Sequence, residues 1–229
     1  EKPTEPRNDI SNVFILGTGR CGTTTIIEAC KYIENFSAGH ETRSKLIGHE
    51  RVNYPPKHIE ADNRLTWFLP RLEKHFPPEK TLYVHLRRDK NATARSFALR
   101  KNGGIMRAYR EGILMRDNEI TTQAESISVA EDYIKCVTEH INCFLINKPH
   151  VMTVDLEKLQ DHLPQFWTAI GAKGDLSAAI ASTKVRHNSH EEVTKRRRNA
   201  KLKKILPNWI IRILRTARRK LQNYSQRPQ

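Results

Sequence analysis

The sequence predicts an α/β fold, a single P-loop-like domain with a central parallel sheet flanked by helices. Three observations predict it. Short apolar runs alternate with helically spaced segments, which is the pattern of strand–helix–strand crossovers. The first such run enters a glycine-rich turn and then a helix, and the second enters a basic turn and then a helix. The chain has 229 residues, 38% of them hydrophobic and 28% charged, enough for one core and a squeeze for two. The same balance excludes a disordered, collagenous or coiled-coil chain. No apolar run approaches the roughly 18 residues that a membrane span needs.

Residues 1–11 are polar, contain two prolines and read as a loose leader. Val13–Leu16 is a buried strand ending at glycine. Thr23–Ile33 reads as a helix with hydroxyls at its start. Residues 36–60, rich in His, Gly and Pro, read as irregular. Asp62–His75 has helical spacing through Leu65, Phe68, Leu69 and Leu72, with Pro77-Pro78 as punctuation. Thr81–Leu86 is a second strand, and Asn91–Lys101 a helix stopped by Gly103-Gly104. Residues 119–147 form a long helical stretch with Ile127, Ala130, Ile134, Val137, Ile141 and Leu145 in step. His150–Val154 is a third strand, and Glu157–Ile170 a helix. The domain is expected over 12–194, and 195–229 as a basic amphipathic helical tail broken near Pro207.

Net charge is +15 but unevenly spread. From Lys184 onward there are 15 Lys/Arg against two acids, a net of +13, which leaves a body of net +2. Nucleic acid is therefore not an expected partner of the body; the tail suits an anionic membrane surface or another polyanion. Cys21, Cys30, Cys136 and Cys143 lack the spacing of a zinc ribbon or a dense disulfide scaffold. Cys136 and Cys143 lie seven apart on one helix face and read as core. Sequons at Asn35, Asn91 and Asn223 carry little weight on compartment.

The chemistry begins at Gly17-Thr18-Gly19-Arg20-Cys21-Gly22-Thr23-Thr24-Thr25. This string fits both the G-x-G-x-x-G dinucleotide fingerprint and the G-x-x-x-x-G frame of a phosphate loop. Both hold an anion on backbone N–H groups at a helix N-terminus. Thr23 and Thr24 stand where a Walker A loop has Lys and Ser/Thr, which disfavours nucleoside triphosphate hydrolysis. The dinucleotide reading needs an apolar second strand ending in an acid; Glu41 has the spacing, but Phe36–His40 is a poor strand. Arg20 and three hydroxyls suit a compact, highly charged group.

This segment resembles the 5′-phosphosulfate loop of sulfotransferases, R-x-G-T-T after a strand. The second strand ends in Arg87-Arg88-Asp89, and the following helix carries Ser96 and Arg100, a second anion clamp. Arg88 with Ser96 eight residues on resembles that family's 3′-phosphate motif. The nearest likeness is to the tyrosylprotein sulfotransferase subgroup, since Gly39-His40-Glu41-Thr42-Arg43 matches G-x-E-T-R, with Glu41 21 residues after Arg20. Leu156 replaces the tyrosine of a later Y-E-x-L element, and no K-x-P element precedes the second strand; Lys57 and Arg64 are the basic residues weighed in its place, and neither is assigned to it. The resemblance covers 12–190.

The resemblance implies the sulfotransferase fold and a donor, 3′-phosphoadenosine 5′-phosphosulfate, without a metal. It implies that Arg20, Cys21, Gly22, Thr23, Thr24, Thr25, Arg88, Ser96 and Arg100 bind the donor and that Arg20 and Glu41 are catalytic. The acceptor would be a hydroxyl on a glycan, peptide or small metabolite, with an acidic acceptor allowed. His40 and His49 are alternative bases. His187, His190 and Glu191 resemble a metal site only faintly, and Lys184–His190 falls where the family closes a loop on the nucleotide. The expected location is cytoplasmic, with the tail as a peripheral membrane attachment; an anchor trimmed from before Glu1 would place the protein in the Golgi lumen. Two other readings stand beside this one: an NAD-type oxidoreductase or other nucleotide-binding P-loop-like protein, and a non-enzymatic polyanion-binding protein.

Overall fold

The computed structural model describes residues 9–100, 102–116 and 122–184. The amphipathic tail, the His187/His190/Glu191 group and Asn223 lie outside the described residues, as do residues 1–8 of the leader.

Among the described residues five strands form one parallel sheet: β1 (Asn12–Leu16), β2 (Ser37–His40), β3 (His58–Ala61), β4 (Thr81–Arg87) and β5 (Val151–Asp155). Their spatial order is β2-β3-β1-β4-β5, every pair parallel. Among the described residues seven α-helices flank them: α1 (Thr23–Cys30), α2 (Leu69–His75), α3 (Lys90–Ala98), α4 (Gly104–Ala108), α5 (Gln123–Leu145), α6 (Leu159–Ala169) and α7 (Leu176–Ser182). A 3-10 turn at Asn63–Phe68 precedes α2, and a π turn at Tyr109–Ile113 follows α4.

The alternation of strand side chains splits the core into two layers. Val13, Ile15, Ile59, Ala61, Val84 and Leu86 face α1, α6 and α7. Phe14, Leu16 and Tyr83 face α2, α3 and α5, where Leu72, Phe97, Tyr133 and Val137 are buried. β1, buried along its whole length, is the middle strand. No helix among the described residues is long and apolar enough to cross a membrane.

The irregular reading of 36–60 is corrected: it contains β2 and β3. The polar positions of these strands are joined to one another. Glu60, fully buried, accepts hydrogen bonds from the Thr42 N–H (2.8 Å) and Thr42 Oγ1 (2.7 Å), and its Oε2 lies 2.8 Å from His58 Nε2. Ser37 Oγ lies 2.8 Å from His58 Nδ1. A strand whose inward residues are His and Glu looks like loop by apolar pattern, yet the network satisfies both groups. The core reading of Cys143 is also corrected. It is exposed, and Cys136 is only half-buried, because both sit beside the α5 stripe of Val129, Tyr133, Val137 and Ile141.

Candidate functional site

The functional candidates gather at the C-terminal ends of the strands, where parallel α/β sheets place their ligands. After β1 the chain passes so close to β4 that a Cβ on Gly17 would lie 2.8 Å from both Leu86 O and Cys21 Sγ. Gly19, Arg20 and Gly22 all adopt positive φ, at 80°, 58° and 95°. For Arg20, with its Cβ, that backbone costs about 1–2 kcal/mol, a strain held in place by neighbours. The Tyr133 hydroxyl donates to Thr18 O at 2.9 Å, and the Asn63 side chain lies against Gly19. At Gly22 a Cβ would meet Leu156 Cδ1 at 2.3 Å, so the turn after β5 packs directly on the loop. Helix α1 then begins at Thr23 behind Gly22, which has no side chain to cap it, and no acid stands in its first turn.

Cys21 is fully buried, and burial pushes its thiol up from the ordinary range. Its side chain belongs to the core, and only its main chain lies with the loop. Thr23 is buried, and Thr24 and Thr25 are half-buried along the first turn.

The second constellation meets the first. Arg88, at the end of β4, donates from Nη1 to Arg20 O at 3.0 Å. Arg20 Nε donates to Ser96 Oγ at 3.0 Å. Asp89 caps α3 by accepting the Ala92 N–H at 2.7 Å, which fixes the helix that carries Ser96. Burial, then the charges of Arg100 and Arg88, hold the Arg20 guanidinium below its usual range. Three arginines and a serine from two segments, some 70 residues apart, thus form one cationic patch.

Glu41 follows β2 at φ 53°. Its N–H donates to Ala61 O at 3.1 Å, and its carboxylate lies 2.9 Å from Arg64 Nη1. Arg43, two residues further on, reaches Glu50 at 3.3 Å. Arg64 is placed by Asp62, which accepts the Arg64 N–H at 2.8 Å and pairs with buried Arg51 at 2.6 Å. Lys57 is tied to Ile10 O at 2.6 Å, at the opposite, N-terminal end of the sheet. His40 Nε2 lies 2.9 Å from Thr23 Oγ1. His49 stacks edge-on against His75 with ring centroids 4.8 Å apart.

Sequence patterns did not single out Asn63, Tyr133 or Glu60. Their roles depend on contacts such as Tyr133–Thr18, 115 residues apart, which no local pattern encodes. No group of three or more His, Cys, Asp or Glu among the described residues is arranged to hold a metal ion. The strand order bears on the dinucleotide reading. There the second strand lies beside the first, whereas here β3 lies between β1 and β2 and sets Glu41 a strand further away.

No family model matches the chain, and no curated protein matches it. Among solved structures it is similar to mouse sulfotransferase SULT7A1 complexed with PAP, at 13% identity and a TM-score of 0.41. That likeness covers 83% of this chain and 64% of the mouse chain, so this chain spans less than two thirds of that protein.

Proposed function

We propose that this protein is a sulfotransferase that moves a sulfuryl group from 3′-phosphoadenosine 5′-phosphosulfate to an acceptor hydroxyl. The observation that carries the reading is the 3.0 Å hydrogen bond from Arg20 Nε to Ser96 Oγ. It joins the two segments whose motifs resemble the 5′- and 3′-phosphate sites of that family. Gathering Arg20, Arg88 and Arg100 costs mutual repulsion, and a nucleotide with phosphates at both ends relieves it. The residues fit such a donor: guanidinium groups for two phosphates, glycines for close approach, and the N-terminal end of α1 facing the loop.

The donor supplies a sulfuryl group on a phosphate leaving group, so the protein's work is positioning and charge neutralisation. Arg20 and the first N–H groups of α1 stabilise the charge that develops on the leaving oxygen. Glu41 takes the proton of the acceptor hydroxyl, and Arg64 fixes the direction of its carboxylate. The tail, the cytoplasmic location and the acceptor class remain part of this proposal.

A thermal-shift comparison tests it. Adenosine 3′,5′-bisphosphate at 100 times its Kd should stabilise the chain by about 2.7 kcal/mol, and NAD should do nothing. Stabilisation by NAD alone would replace this reading with the oxidoreductase one.

A further inference from the structure

We propose that His40 is a positioning residue that turns the Thr23 hydroxyl toward the bound donor. The inference rests on the sulfotransferase reading and assigns to that site a residue outside both phosphate motifs.

His40 closes β2, an edge strand two places from β1, yet its Nε2 lies 2.9 Å from Thr23 Oγ1 at the first residue of α1. The main chain just after it is fixed on three sides. Glu41 N–H donates to Ala61 O at 3.1 Å, and Glu60 holds Thr42 through both its N–H and its hydroxyl, at 2.8 and 2.7 Å. Gly39 has no room for a Cβ, which would lie 2.3 Å from Thr42 Cγ2. The ring is therefore presented to Thr23 by a built turn, although its own surface is exposed.

A threonine hydroxyl has one proton and two lone pairs. When Nε2 of His40 carries a proton it donates to Thr23 Oγ1, and the threonine proton must point elsewhere. The space before the start of α1 is where an anion accepts it. When Nε2 is bare, the threonine proton turns to the ring and is lost to the anion. An anion in front of Thr23 in turn favours the state with the proton on Nε2. His40 and the donor thus orient the same hydroxyl cooperatively.

The test is a double-mutant cycle read as the Kd for adenosine 3′,5′-bisphosphate by titration calorimetry. Thr23→Val should weaken binding about tenfold, the low end for a hydrogen bond to a charged group. His40→Leu should weaken it about three- to tenfold, and the double variant no more than Thr23→Val alone. His40→Gln, whose amide can donate to Thr23, and Thr23→Ser, which keeps the hydroxyl, should both stay close to the parent. These two also serve if His40→Leu does not fold, as judged by ligand-free melting. Multiplying losses in the double variant, no effect of His40→Leu, or failure of His40→Gln to bind would overturn the proposal. A parent chain that does not bind adenosine 3′,5′-bisphosphate overturns the sulfotransferase reading itself, and this inference with it.

Discussion

Removing the Ser96 hydroxyl tests the join between the two anion motifs. Ser96 Oγ accepts from Arg20 Nε at 3.0 Å, and Arg20 sits under the repulsion of Arg100 and Arg88. Hydrogen bonds to a charged group contribute about 1.5–3 kcal/mol. Arg20 and Ser96 are both half-buried, so solvent screening favours the lower figure. About 1.5 kcal/mol is close to tenfold in affinity. Ser96→Ala should therefore bind adenosine 3′,5′-bisphosphate about tenfold more weakly, with Ser96→Thr in between. The ligand-free melting temperature should fall only slightly, because the better helix propensity of alanine partly offsets the lost bond to Arg20 and the buried residues of α3 are Thr93, Ala94, Phe97 and Ala98. Calorimetric titration of the parent and both variants, alongside melting curves, measures each quantity. Binding within twofold of the parent would refute the clamp. A large fall in ligand-free melting would make Ser96 a structural residue.

Three further expectations can be checked. Glu41→Gln should lower turnover about 10²–10⁴-fold while adenosine 3′,5′-bisphosphate binds as before; retention of more than about a tenth of the activity removes Glu41 as the base. Gly22→Ala should destabilise the fold, since its φ of 95° and a 2.3 Å approach to Leu156 Cδ1 both penalise a Cβ. Combined with Leu156→Ala, the loss should be smaller than the two single losses added, and strict additivity in denaturant melts counts against the contact. Burial, then the charge of Arg87, holds buried His85 down at about 4. The unfolded chain binds a proton there that the folded one refuses. Stability should thus fall as pH drops from 6.5 to 4, by up to about 3 kcal/mol. His85→Gln should flatten that slope, and an unchanged slope refutes the assignment.

What the sequence revealed and what it hid divide along physical lines. β1, β4 and β5 were legible as apolar runs, and the phosphate-type loop was legible because its chemistry lies on consecutive residues. Arg88 and Ser96 were legible as a pair because they lie eight residues apart in one strand-to-helix segment, Arg88 between β4 and α3 and Ser96 on α3. β2 and β3 were hidden because His58 and Glu60 fill buried positions through mutual hydrogen bonds, so the alternation carries no apolar signal. The partner of Glu41 was hidden for a related reason. Arg43 is two residues away in sequence, but the choice of Arg64 is made by Asp62 and Arg51 in another segment. Leu156 was noticed only as a departure from a motif, and its contact with Gly22 appears once β5 is laid beside β4.

The strand order has a consequence for how freely this surface can change. The chain leaves β1 through α1 on one face of the sheet, and returns from β3 to β4 through α2 on the other. The two crossovers part company at β1, and connectivity alone opens a crevice at its C-terminal end, a topological switch point. Side chains do not create that crevice; they only decide what it holds. The exposed residues 45–47 can then be rewritten for a different acceptor with little penalty to the sheet, whereas Gly17 and Gly22 cannot, because backbone and Leu156 occupy the space a side chain would need. Grafting experiments should find the rim permissive and those two glycines nearly immutable, so that recognition can diverge quickly on an architecture that stays fixed.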